Sequence, residues 1–289
     1  MTRFLLFLLM YSSILAFGQQ DPQFTLDQDR NTFTNPALMV DDYDLKLQAV
    51  FRAQWVGFDG APVTGVFQGS YFVERAWSAF GVSAVYGQLG AETFSYTTFN
   101  YAFVGQIGDH RLIPAVSIGM ISRTIDGSQI TAIEPGDPNI PTGKSTGIGL
   151  DLGVGLSYMF EGLLVGVSST HLNEAEFLLD FGGLSRSYNI ARHIYGVASY
   201  DAHIGNHFRL KPIALGKTDF ASTQFEQFLW IGARNLTAVF DGVDIGVGYR
   251  IDDAVMFGID LNFKWFSLAY SYDYTISGLS SSIPREVTN

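Results

Sequence analysis

Residues 266–276 read Phe266-Ser267-Leu268-Ala269-Tyr270-Ser271-Tyr272-Asp273-Tyr274-Thr275-Ile276. Every second side chain is large and apolar or aromatic, and those between are small or polar. Successive side chains of an extended chain point to opposite sides, so a period of two marks a strand with one apolar face. The register puts Tyr272 on the apolar face and Asp273 on the other. Soluble strands average about 5–6 residues. A strand tilted across a bilayer needs roughly 9–11, and the run at 266–276 has that length.

The same alternation extends outward from this stretch. In Val255–Lys264, Val255, Phe257, Ile259, Leu261 and Phe263 alternate with smaller or polar neighbours. Val243–Ile251 and Ile148–Phe160 repeat the pattern, with Asp244, Arg250 and Asp151 on their polar sides. In Leu45–Trp55 the polar side holds Lys46, Gln48, Arg52 and Gln54. Aromatics gather near the run ends, at Trp55, Tyr158, Phe160, Trp265 and Tyr274, as an interfacial girdle requires. Weaker runs lie at 62–74, 77–88, 93–105, 110–123, 163–170, 187–201, 206–217 and 222–235. About thirteen strands are visible, and bacterial barrels favour even numbers. The expected fold is therefore all-β, a transmembrane antiparallel barrel of about 14 strands over residues 44–277. The tail at 278–289 holds Pro284 and shows no closing strand.

The rest of the chain fits an exported barrel. Arg3, the apolar run Phe4–Met10 and the small residues Ala16 and Gly18 make Met1–Gly18 a cleavable signal peptide, with the mature chain starting at Gln19. After it no stretch is long and apolar enough for a membrane-spanning helix. Residues 19–43 lack clean alternation and are expected to plug the lumen or to contact the periplasm. The long connections 126–146 and 171–186 are expected on the outer face. Acidic residues outnumber basic ones, 28 to 17, for a net charge of −11, which excludes an electrostatic grip on nucleic acid. The absence of Cys excludes disulfides, thiolate metal sites and thiol nucleophiles.

No catalytic, cofactor or metal constellation stands out. Ser168, Ser169 and His171 are close in sequence, but there is no nucleophile elbow and no third group to place, so they read as strand-end polar residues. Asp41, Asp42 and Asp44 lack the Gly and terminal Glu of a calcium loop and read as a solvated turn. His193, His203 and His207 lack metal-ligand spacing and read as interfacial or turn residues. Arg52 and Asp273 would face the interior, where inward Arg and Asp could pair and fill a closed lumen or line a solute pathway. Trp55 reads as an interfacial anchor, with Gly57, Gly60 and Pro62 turning the chain into the next strand. Together with Gln54, these residues are the candidates for a partner-docking surface or a lumen lining.

Several blocks also carry a family resemblance. The stretch Gln19-Gln20-Asp21-Pro22-Gln23-Phe24 and Asn35-Pro36-Ala37 resembles the opening of the PorP/SprF family. Arg52-Ala53-Gln54-Trp55-Val56-Gly57-Phe58-Asp59-Gly60-Ala61-Pro62 is close to that family's R-x-Q-W-x-G-x-x-G-x-P pattern. Arg192-His193-x-Tyr195, Leu210-Lys211-Pro212 and Tyr270-Ser271-Tyr272-Asp273-Tyr274-Thr275 follow in family order. The resemblance implies an outer-membrane barrel of a Bacteroidetes-type bacterium, without enzymatic activity or cofactor. Such a barrel would work with the type IX secretion system in export or surface anchoring of a partner such as a gliding adhesin. The partners it implies are other secretion components, a periplasmic peptidoglycan-associated or lipoprotein partner, a surface protein with a C-terminal sorting domain, and outer-membrane lipid. A channel for small or hydrophobic solutes is the alternative.

Overall fold

The computed structural model describes residues 21–26, 29–40, 44–130, 140–141, 143–181, 183, 185–237 and 239–277. The expected signal peptide, Asp41, Asp42 and the tail 278–289 lie outside them. The first strands are β1 (Leu45–Ala53), β2 (Val63–Val73), β3 (Ser78–Leu89), β4 (Glu92–Phe103), β5 (Gly105–Ile107) and β6 (His110–Asp126). Next come β7 (Lys144–Phe160), β8 (Leu163–Thr170), β9 (Glu176–Asp180), β10 (Ser185–Asn189), β11 (His193–Tyr200) and β12 (Ala202–Ile204). The last are β13 (Phe208–Thr218), β14 (Thr223–Arg234), β15 (Phe240–Arg250), β16 (Ala254–Phe263) and β17 (Ser267–Thr275). Thirteen of these pair antiparallel in chain order, from β1 to β17, with the short β5 and β12 added on β6 and β13. β9 and β10 form a separate hairpin. Among the described residues the helical turns are short 3-10 segments, and no helix is long and apolar enough to cross a membrane.

Alternation sets the two faces of the sheet. Leu47, Phe51, Ile245, Val247, Tyr270 and Tyr272 stand exposed on the outside. Gln68, Ser83, Asp151, Glu226, Asp244 and Arg250 are buried within. This inverts the arrangement of a water-soluble sheet and suits a wall facing lipid. The sheet rolls round on itself, because Arg52 on β1 lies 3.1 Å from Asp273 on β17, the strand at the opposite end of the path. Thirteen alternating strands leave β1 and β17 running in the same direction, so antiparallel closure calls for one more strand.

Hairpin order also separates the two rims. One carries the short turns at 74–77, 161–162 and 264–266. The other carries the long connections 127–143 and 171–192. Residues 21–26 and 29–40 lie inside the sheet, beginning near the long-loop rim at Asp21 and ending near the short-turn rim at Val40. Near the first, Thr25 donates its hydroxyl proton to Asp273 at 2.7 Å. Further along, the hydroxyls of Ser168 and Ser157 donate to the carbonyls of Thr34 and Ala37 at 2.6 and 3.3 Å. Ser70 donates to the carbonyl of Met39 at 2.9 Å. Val40 ends the run packed with Ala79, Ala102, Val104 and Ile113. Pro36 opens a 3-10 turn at 36–39, and Asn35 caps it by accepting from the Ala37 N–H at 2.9 Å. Asn35 itself is extended, as the residue before a proline prefers.

One expectation about the long-loop rim needs correction. The run 187–201 is not one strand: it breaks at 190–192, and its first part, β10, pairs with β9. The connection 171–186 accordingly carries most of a short hairpin. Its hairpin folds across the barrel mouth, with Phe177 and Leu179 buried and Leu178 exposed. Phe177 lies over Gly147 on β7, where an added Cβ would sit 2.2 Å from its ring. Five-residue strands carry too few alternations to be told from loop.

Gly155 on β7 makes similar room for the inner segment. A Cβ there would meet Asn35 Oδ1 at 2.1 Å and Pro36 Cδ at 3.0 Å. Gly155→Val is expected to cost about 1–3 kcal/mol by overpacking and to open residues 21–40 to protease. Gly196→Val, where a Cβ meets nothing within 4 Å, serves as the control. Melting temperature in detergent and limited proteolysis read the difference.

Candidate functional site inside the barrel

Inward positions on neighbouring strands carry charge, and each charged group is held by others. Glu226 on β14 sits opposite Arg250 on β15, and their side chains meet at 3.2 Å. Both are almost wholly buried. Arg250 also reaches Asp273 at 3.0 Å and Asp253 at 3.2 Å. Arg52 donates to Asp273 and to the carbonyl of Gln23. Gln23 in turn donates to Glu226 at 3.2 Å, so the inner segment is part of the network. Breaking a buried pair by removing one partner costs about 3–5 kcal/mol, because the other charge is left uncompensated in a poor solvent.

A second group fixes the middle of the segment. Asp29 pairs with Lys211 on β13 at 2.6 Å and accepts from the Ser199 hydroxyl at 2.9 Å. Burial alone would push the Asp29 carboxyl up, but Lys211 and Arg30 outweigh it and hold it down to about 2. Beside it, Arg209 bridges Asp201 and Asp244, and Arg234 also pairs with Asp244.

The third group surrounds Asp21. Tyr195 donates to its carboxylate at 2.6 Å and Thr170 at 3.4 Å. His171 Nε2 lies 2.9 Å from Asp21 Oδ1, and its Nδ1 lies 2.8 Å from Asp151. The Asp21 N–H donates to His193 Nε2 at 3.4 Å. Burial raises the Asp21 carboxyl, and the two imidazoles more than reverse that, leaving it far below the ordinary range.

The residues singled out from sequence divide between two places. Arg52 and Asp273 meet in the interior. Gln54, Trp55, Gly57, Gly60 and Pro62 lie in the β1–β2 turn, where Gln54 N–H donates to the Pro62 carbonyl at 2.9 Å. Trp55, Gly57 and Gly60 all take positive φ there, and Trp55, Val56 and Phe58 are exposed at the long-loop rim. The serine–histidine pairing does not form: Ser168 donates to Thr34, Ser169 to the carbonyl of His193, and neither reaches His171. His171 does stand at the end of β8, but it is fully buried and bridges two carboxylates. His193 is not interfacial; it is buried beside Asp21 and His171. The spacing argument against metal ligands missed this cluster because its members come from three separate parts of the chain. His207 is an exposed turn residue, as expected, His203 is exposed on the short β12, and Asp44 is exposed. Asp151 and Arg250 stood on polar sides of alternating runs, whereas nothing local marked Asp21 or Glu226.

An apolar outer wall around a charged, chain-filled interior defines a membrane β-barrel. The chain belongs to the PorP/SprF family: the model of that family, described as type IX secretion system membrane protein PorP/SprF, matches residues 16–285. The chain is therefore a membrane component of the type IX secretion system, and its β architecture is consistent with the outer membrane. Comparison with curated proteins finds no match. Comparison with solved structures finds none either.

The Asp29–Lys211 pair generates a pH signature. The native carboxyl value lies below its ordinary 3.8. The pair therefore stabilises the fold fully above the ordinary value and loses that contribution as pH falls toward 2. Wild type should melt well above Asp29→Asn at about pH 7, and the gap should close between about pH 4 and pH 2. A gap that stays constant over that range would contradict the pairing.

Proposed function

We propose that this protein is a non-enzymatic dock of the type IX apparatus, assisting export or surface anchoring of a partner protein, and that its lumen does not serve as a solute path. The observation that carries this reading is the place of residues 21–26 and 29–40, which lie inside the sheet and are tied to Gln68, Ser70, Ser157, Ser168, Lys211 and Asp273. A plug built into the charge network would have to leave before solutes could pass, breaking buried pairs as it went. The segment's position favours a plug over a periplasmic contact arm. Docking surface is available at the long-loop rim, in hairpin β9–β10 and the exposed Trp55, Val56 and Phe58. A stable partner interface needs on the order of 800 Å² per side. A surface protein with a C-terminal sorting domain fits that rim. A periplasmic peptidoglycan-associated or lipoprotein partner fits the short-turn rim.

The test is a strain lacking the gene, compared with its parent in surface proteome and in uptake of small solutes. Loss of one or a few surface proteins with unchanged uptake is expected. Normal surface proteins with impaired uptake would favour the channel.

A further inference from the structure

Asp21, His171 and His193 bring one carboxylate and two imidazoles together, with ligating atoms all within 4.8 Å of one another and all three residues buried. Both imidazoles are held the same way. His171 Nδ1 faces Asp151 Oδ1 at 2.8 Å, and His193 Nδ1 faces the Ala191 carbonyl at 3.0 Å. The Ala191 carbonyl assigns the His193 proton to Nδ1 and leaves its Nε2 lone pair, which accepts from the Asp21 N–H at 3.4 Å, as the ligating atom, whereas His171, held between two carboxylates, ligates through Nε2 only after giving up the proton it shares with Asp21. Fixing one ring nitrogen by a carboxylate or carbonyl while the other ligates is the usual support of a metal-bound histidine. The 2.9 Å between His171 Nε2 and Asp21 Oδ1 is a hydrogen-bond distance, and ligation moves the two atoms about half an ångström apart, since ligands about 2.0–2.2 Å from a tetrahedral zinc stand roughly 3.4 Å from each other.

We propose that Asp21, His171 and His193 form a site for a divalent transition cation of the zinc class, with Asp151 as the positioning residue for His171. Two imidazoles and a carboxylate, without thiolates, match the donor preference of zinc and its neighbours. A fourth place falls beside Tyr195, whose hydroxyl already contacts the Asp21 carboxylate, and water or that hydroxyl completes a tetrahedron. Binding displaces the proton from His171 Nε2 where that ring is protonated, and the cation replaces the positive charge between Asp21 and Asp151. The consequence is mechanical. Asp21 belongs to the inner segment, whereas His171 follows β8 and His193 begins β11, so a cation here staples the segment to the wall at the long-loop rim. This inference stands apart from any secretion partner.

The experiment uses the full mature chain in detergent, stripped with a chelator and titrated with Co²⁺ and then Zn²⁺. Expected are one equivalent of Co²⁺ per chain with the visible absorption of a tetrahedral N/O site, displacement by Zn²⁺, and a higher melting temperature with metal. His193→Asn should abolish the band, Asp151→Asn should weaken binding about 10–100-fold, and the exposed His203→Asn should leave it unchanged. Absence of stoichiometric Co²⁺ binding by the wild type would overturn the proposal, leaving the cluster as a metal-free imidazolium clamp. Binding that survives in His193→Asn would overturn it as well. The wild-type titration decides even where a variant fails to fold.

Discussion

Lipid offers no hydrogen bonds, and that constraint sets the rest of this structure. A chain crossing the bilayer as strands must pair its backbone along the sheet and turn only apolar side chains outward. With a side-chain period of two, the other half of every strand is driven inward. Here that half includes Arg52, Arg250, Glu226, Asp244, Asp273 and Lys211, too many charges to leave unmatched in a narrow interior. Arg250 illustrates the outcome, being wholly buried yet meeting three carboxylates.

The inner segment completes this interior. Its polar residues, Asp21, Gln23, Thr25, Asp29 and Asn31, meet inward-facing polar or charged groups. Its apolar ones, Phe24, Phe33, Leu38 and Met39, join clusters with Val66, Val85, Trp230 and Ile113. Glycines at 147 and 155 leave the space that hairpin β9–β10 and Asn35 occupy. The described part of the segment is thus held to the wall by the same buried ion pairs, hydrogen bonds and apolar clusters that stabilise a protein core.

The strand pattern was legible because it depends on local alternation alone. The register read from 266–276, with Tyr272 outside and Asp273 inside, is the register observed. Strand ends were less legible: β7 begins at Lys144, before the run seen at Ile148, because the alternation of Ser145 and Gly147 lacks bulk. The site was legible only in part. Arg52 and Asp273 were each recognisable as inward, but they lie 221 residues apart and only closure of the sheet joins them. His193 has no ligand-like spacing, and Asp21 lies in a stretch without periodicity, so their meeting depends on the path of the segment. Within the Arg52–Pro62 block, alternation already parted Arg52, read as inward, from Trp55, read as an anchor before a turn, and the two are found apart in that way.

The charge network depends on residues 21–26 and 29–40 lying inside the barrel, and the cysteine-free sequence allows that to be measured directly in cells. The paired substitutions Thr34→Cys with Ser168→Cys, and Met39→Cys with Ser70→Cys, place one thiol on the segment and one on the wall at two depths. A short bifunctional thiol reagent should join both pairs within one chain, and a bulky hydrophilic maleimide should leave them unlabelled. Pairs that stay unjoined, with the thiols introduced at positions 34 and 39 freely labelled, would contradict a lumen filled by its own chain.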